Sequence, residues 1–384
     1  MIDILKNEFS QWFDSKSPVV FKSPGRINLI GEHTDYNGGF VLPASIDKAI
    51  YFAIAFNDDN VFRFVSYDLN DEYVTPIDKI EPCDKQWANY LLGIIAQFIG
   101  DGKKVKGFDC IFGGDIPIGA GMSSSAALDC GLAFALNDMQ SFGYSKPDLA
   151  KFAQKAEHEY VGIMSGIMDQ FVVLHGKKDK VIKLDTRSLE YELFSVDLSN
   201  HIFILVNTGV KHSLASSEYN KRRYECEKGV EILQKYNQNI KSLRDVNLNF
   251  IQQHKMDLSN VIYNRCSYVI EENMRLERAY DALINGDFTE FGNQMYGSHE
   301  GLKEKYEVSC DELDLLVDIA KNTKGVIGAR MMGGGFGGCT INLVEKNAVS
   351  IFKNSILAQY KTPEGEEPQI IEAAIENGTQ KIGT

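Results

Sequence analysis

The run Gly113-Gly114-Asp115-Ile116-Pro117-Ile118-Gly119-Ala120-Gly121-Met122-Ser123-Ser124-Ser125-Ala126-Ala127 constrains the fold more than any other stretch of the chain. Phe108 to Phe112 leads into it as an apolar strand, and a helix is expected to leave it from about Ser123 to Leu136. Small residues allow a ligand close to the backbone, and the free N–H groups at a helix start form a site for an anion. Three successive hydroxyls at that start can cap the helix, bind phosphate oxygens or ligate a divalent cation. A well-capped helix after a turn accounts for glycine and serine alone equally well. The stretch is not a P-loop, because GxxxxGK[ST] requires a lysine that is absent here. Any phosphate charge must then be met by a metal ion and by residues elsewhere.

With 384 residues the chain exceeds the usual span of one hydrophobic core, so two domains are expected. Their boundary is placed at the charged stretch Lys180 to Asp185, giving residues 1–182 and 183–384. Alternation of apolar and polar residues predicts strands over Tyr51–Phe56 and Val61–Tyr67, and helical periodicity predicts a helix from Lys146 to Tyr160. In the second half a strand is expected at Ile202–Val206, with helices at about Glu218–Tyr236 and Arg265–Asn285. A capping box at Ser309–Glu312 starts another helix, and a strand follows at Thr340–Val344. The class is α+β, with a cleft between the halves as the expected site.

The net charge of −13 argues against a general partner for nucleic acid or acidic membranes, and leaves a small anionic ligand open. No apolar run approaches the ~18 residues that span a bilayer, and the N-terminus reads as a short amphipathic helix rather than a signal peptide. Seven scattered cysteines without a CxxC pair suggest reduced thiols. A soluble, cytoplasmic protein is therefore expected.

Three further stretches carry side chains suited to chemistry. Pro24 to Gly39 packs Arg26, Glu32, His33, Thr34, Asp35 and Asn37 between glycines, which suits a polyhydroxylated ligand and also suits a solvated loop. Ala156 to Gln170 brings Glu157 to the edge of an apolar helical stripe, where it can face a metal or simply lie at the surface. Asp169 follows a small, apolar turn, where an acid needs a partner. Gly328 to Cys339 contains a formal GxGxxG from Gly333, but a strand rather than a helix follows, so a dinucleotide fold is rejected and close backbone packing is expected.

Taken together, these stretches resemble the GHMP family of small-molecule kinases, and within it the branch that phosphorylates galactose. The resemblance rests on PGRINLIGEHTDY (Pro24–Tyr36), PIGAGMSSSAA (Pro117–Ala127), GIMDQ (Gly166–Gln170), SSEYNKRR (Ser216–Arg223) and GARMMGGGFGGC (Gly328–Cys339), and it covers nearly the whole chain. It implies the two-domain GHMP architecture and transfer of the γ-phosphate of ATP to the C1 hydroxyl of α-D-galactose. By position, Asp169 matches the catalytic base and Arg26 the residue that stabilises the transferring phosphoryl group. Glu32, His33, Thr34, Asp35, Gly166 and Tyr219 match the sugar contacts. Gly119, Ala120, Gly121, Met122, Ser123, Ser124 and Ser125 match the nucleotide loop, Ser66 a further nucleotide contact, and Ser125 and Glu157 the ligands of Mg²⁺. No nucleic-acid or membrane partner is implied, and a monomer or weak homo-oligomer is expected. Met332 stands where many members of the branch carry threonine. N-acetylgalactosamine or another aldose remains an alternative acceptor, and a non-catalytic sugar sensor an alternative role.

Overall fold

The computed structural model describes residues 1–13, 17–117, 119, 121–210 and 215–382. The first half runs α1 (Ile2–Trp12), β1 (Val19–Asn28), β2 (Phe40–Val41), β3 (Pro43–Phe56), β4 (Val61–Ser66), β5 (Asp71–Pro76), α2 (Gln86–Gly100), β6 (Phe108–Gly114), α3 (Ser124–Met139), α4 (Lys146–Ala156) and α5 (Met168–His175). It continues through β7 (Lys180–Asp185), β8 (Tyr191–Ser195), β9 (His201–Asn207), α6 (Ala215–Gln234), α7 (Leu248–Gln253), α8 (Asn260–Ile284), α9 (Phe288–Gly301) and α10 (Asp311–Lys321). Last come β10 (Val326–Met332), β11 (Cys339–Glu345), α11 (Val349–Gln359), β12 (Ile370–Ala373) and β13 (Gln380–Ile382).

Six strands form one sheet in the order β13-β1-β3-β6-β4-β5, antiparallel except for the β4–β6 pair. Along β3 the two-residue period sends Phe52 and Ile54 to the core under α2, α3 and α4, while Ala53 and Ala55 face Leu5 and Phe9 of α1. A second sheet, β10-β11-β9-β12, is covered on one side by α8 and α9 and on the other by α10 and α11. Here Phe203 and Leu205 face the first pair, Ile204 and Val206 the second. The halves share a core: Ile27, Leu29 and Ile30 pack in one cluster with Met332, Cys339 and Ile341. That shared core brings the glycine stretch after β10 against the turn before α3.

Several local expectations differ from the structure. Pro24 to Asn28 is the buried end of β1 rather than a solvated loop. Lys180–Asp185 is β7, the centre of a three-stranded sheet with β2 and β8. The helix from Lys146 stops at Ala156, and one turn of π-helix, Glu157–Val161, ends at Gly162 with φ 80°. Before α10 the N-cap is Cys310 without a side-chain cap, because Ser309 Oγ bonds Asp314 Oδ1 at 2.6 Å.

Candidate functional site

The serine turn and β1 approach each other so closely that a Cβ on Gly25 would stand 2.9 Å from the Met122 carbonyl oxygen. Arg26 N–H donates to that same carbonyl at 3.1 Å, and Arg26 Nη1 donates to the Gly121 carbonyl. The rest of the guanidinium forks onto Asp169, Nε to Oδ1 at 2.7 Å and Nη2 to Oδ2 at 2.8 Å. Such a bidentate pair fixes geometry as well as charge. Ser123, in the left-handed region at φ 57°, donates its hydroxyl to Asp169 Oδ2. Arg26 is nearly inaccessible, whereas the Asp169 side chain keeps 28% exposure and opens into a cavity. A carboxylate offers about four lone-pair sites, and these contacts leave one on Oδ1 free to face that cavity.

The cavity joins residues distant in sequence. Arg26, Glu32, His33 and Asp35 line it together with Gly166, Asp169, Tyr219, Gly333 and Gly334. Asp35 sits against Gly166, where a Cβ would lie only 1.7 Å from its Oδ2. Burial, then the nearby charge of Asp169, pushes the Asp35 carboxyl up to about 7. His33, at φ 61°, exchanges a 2.7 Å hydrogen bond between Nδ1 and the Tyr36 hydroxyl. Burial and the Arg222 cation lower it to about 3, so its imidazole is neutral at physiological pH. The Tyr219 ring stands 5.4 Å from that of His33. Thr34 does not line the cavity: its hydroxyl bonds the carbonyls of Gly31 at 2.8 Å and Phe40 at 2.6 Å, closing the turn that presents its neighbours.

On the other side of the serine turn lies a second cavity, about 390 Å³, reached by Ser66, Ser124 and Ser125 and walled by Trp87, Tyr90, Phe112 and Ile116. Its flat aromatic walls suit a planar ring. Gly119 (φ 76°) and Gly121 (φ 69°) shape the turn between the cavities, Met122 is buried beneath it, and Ala120 lies outside the described residues. The glycine stretch closes over this turn, for a Cβ on Gly121 would reach 3.1 Å from the Met332 carbonyl.

Glu157, on the π-helical turn, is buried behind Ser125. It accepts a hydrogen bond from Ser165 and one at 3.0 Å from Gln170 Nε2, and burial pushes its carboxyl up to about 7. Asp129, one helical turn after Ser125 on α3, is wholly buried with neither carboxyl oxygen paired, and the charge of Glu157 adds to burial in raising it. Two carboxyl groups are thus gathered where, among the described residues, no side-chain cation answers them, which suits a divalent ion. Among the described residues no three His, Cys, Asp or Glu form a cage, so such an ion would keep water and ligand oxygens, as Mg²⁺ does.

The sequence alone did not single out Trp87, Tyr90, Asp129 or Arg330. Trp87 and Tyr90 lie on α2, whose run WANYLLGIIAQFIG is apolar on most sides and gives no sharp stripe. An aromatic pair one turn apart was the available signal.

Three family models match the chain: "Galactokinase galactose-binding signature" over residues 7–56, "GHMP kinases N terminal domain" over 89–177, and "GHMP kinases C terminal" over 279–362. A galactokinase of Thermotoga petrophila is 42% identical over 361 residues, covering 94% of this chain and 99% of its own. One from Clostridium tetani is 40% identical over 384 residues, covering 99% and 98%. The crystal structure of Lactococcus lactis galactokinase complexed with galactose superposes with a TM-score of 0.95 at 35% identity, covering 99% of this chain and all of that one. A mevalonate kinase from Methanococcus jannaschii, 19% identical with a TM-score of 0.64, shares the fold alone.

Proposed function

The chain belongs to the galactokinases, a branch of the GHMP kinases, and is therefore an ATP-dependent sugar kinase; from that premise we propose that the cavity beside Asp169 holds α-D-galactose with its C1 hydroxyl against that carboxylate. The observation that carries this assignment is the bidentate Arg26–Asp169 pair, which lines this cavity and which Ser123 of the serine turn also touches. Asp169 is the base: its free Oδ1 lone pair accepts the anomeric proton as the hydroxyl oxygen attacks the γ-phosphorus of ATP. ADP leaves, and galactose 1-phosphate remains. Arg26 positions the carboxylate and lends positive charge to the oxygens of the transferring phosphoryl group, the electrostatic share that dominates such reactions.

Glu32, His33, Asp35, Gly166 and Tyr219 hold the sugar, with Thr34 supporting their turn. The larger cavity takes the nucleotide, its base between Trp87 and Tyr90 and its phosphates along Gly119–Ser125, with Ser66 at the rim. Ser125 and Glu157 would hold Mg²⁺, backed by Asp129; bound there, the ion supplies the positive charge on the phosphates that a P-loop lysine gives elsewhere. We further assign a cytoplasmic location and action as a monomer or weak homo-oligomer.

ADP release coupled to a panel of galactose, N-acetylgalactosamine and arabinose, with and without Mg²⁺, tests the assignment. Asp169→Asn should lower kcat by about 10²–10⁴, the usual share of a positioned base, with ATP binding retained. Wild-type turnover in that variant removes Asp169 from the chemistry.

A further inference from the structure

Arg330 on β10 is the largest fully buried side chain of the described residues, and it does not line the sugar cavity. An arginine in that position needs its donors met. Its Nε donates to the Leu29 carbonyl at 2.9 Å, and its Nη2 to the Asn28 carbonyl. Its Nη1 donates to the Met331 carbonyl at 2.6 Å and to Glu32 Oε2 at 2.9 Å. One guanidinium thus ties the end of β1 and the turn after it to the strand that leads into the glycine stretch. Glu32, only 3% exposed, is the one carboxylate among these partners and is also a wall of the sugar cavity.

The turn it holds has little else to define it on that side. Gly31 sits at φ 91° with its N–H donated to Glu272 Oε1 at 3.0 Å, and the Glu32 carbonyl accepts from the Tyr268 hydroxyl at 2.9 Å. Those contacts fix the backbone. Among the described residues only Arg330 holds the Glu32 carboxylate by a hydrogen bond. A charged hydrogen bond in a dry setting fixes direction as well as charge.

We propose that Arg330 is a positioning residue of the sugar site: it aims the Glu32 carboxylate into the cavity as an acceptor for a sugar hydroxyl, and so links the glycine stretch to acceptor binding as well as to the nucleotide loop. The proposal rests on the galactokinase assignment. Wild-type turnover of galactose checks that assignment by itself, and only the variants below bear on Arg330.

The experiment is a double-mutant cycle on Arg330→Lys and Glu32→Gln, read by galactose Kd from calorimetry and by the KM for galactose and for ATP. Lysine keeps the charge but cannot reach four acceptors in one plane. Arg330→Lys should raise galactose Kd and KM by about tenfold or more, the scale of one charged hydrogen bond, and leave the KM for ATP within about threefold. In the double variant the two losses should not multiply, because both act through one carboxylate. Should Arg330→Lys fail to fold, Glu32→Gln with Arg330→Gln buries no charge and keeps an amide pair, and should bind galactose no worse than Glu32→Gln alone. Losses that multiply, an equal rise in both KM values, or failure of both variants to fold would make Arg330 a residue of stability only and overturn the proposal.

Discussion

A single methyl group at Gly166 probes the sugar cavity from its tightest point. Built on that backbone, the methyl carbon would stand 1.7 Å from Asp35 Oδ2 and 2.0 Å from its Cγ. Because Cβ atoms essentially never come within 3.0 Å of another heavy atom, the 1.7 Å gap leaves the carboxyl to retreat by at least 1.3 Å. Asp35 is held in place by the backbone N–H groups of Tyr36 and Met168, and behind it lies protein rather than solvent. Displacing a substrate-positioning group by about 1 Å costs about a hundredfold in rate, which is about 2.7 kcal/mol at the transition state. Gly166→Ala is therefore expected to lower kcat/KM for galactose about a hundredfold. The nucleotide cavity lies on the far side of the serine turn, so the KM for ATP should stay within about threefold. Overpacking costs about 1–3 kcal/mol of stability, so the variant is assayed by coupled ADP release below its own melting transition, with galactose binding by calorimetry alongside. A folded Gly166→Ala enzyme with kcat/KM for galactose within about threefold of wild type would refute the placement of Asp35 in the sugar wall.

Removing the aromatic wall of the larger cavity with Trp87→Ala should raise the KM for ATP by about tenfold, since stacking of a base on a ring is worth about 1–3 kcal/mol, and leave galactose binding unchanged; equal effects on both substrates would count against a base at that wall. Glu157→Gln should weaken Mn²⁺ binding to the ATP complex, read by electron paramagnetic resonance, by about tenfold or more, and unaltered affinity would dismiss Glu157 as a ligand. Asp35, pushed up to about 7 by burial, holds its proton in the folded chain at pH values where the unfolded chain has released it. That contribution is present below the unfolded value of about 3.9 and declines as pH rises to about 7. In urea titrations between pH 5 and 6.5, Asp35→Asn should lose stability with rising pH less steeply than wild type, by about 1.4 kcal/mol per pH unit; parallel curves would contradict it.

The strand, glycine turn and helix around residue 113 were legible because local chemistry decides them: β6 and α3 fall within a few residues of their expected limits. Side chains whose partners are remote were harder. Arg26 and Glu32 sit in a dense polar run that reads equally as a surface loop, and what buries them is Asp169, 143 positions away, and Arg330, 298 positions away. No local pattern encodes such pairs. Periodicity puts Glu157 at the edge of a regular helix, but a π-helical turn begins there and Glu157 is buried. The stretch of β7 reads as a boundary because its charges follow a turn, whereas its apolar residues divide between two cores, Ile182 and Leu184 in one and Val181 in the other, once β2 and β8 flank the strand. Trp87 and Tyr90 carry no local signal because helix α2 is nearly apolar throughout, and the wall they form is completed by Phe112 and Ile116 from β6 and the turn after it.

The pairing of β13 with β1, Gln380 to Lys22 through Ile382 to Val20, bears on any attempt to use half of this protein. A fragment ending near residue 182 would keep β1 with Arg26 on it, yet leave the outer hydrogen-bonding row of that strand bare. An open row of this kind recruits other chains, so such a fragment should self-associate before it offers a usable site. Supplying residues 370–382 as a separate peptide would be the remedy to try, for the strand that shields this flank belongs to the far end of the numbered sequence.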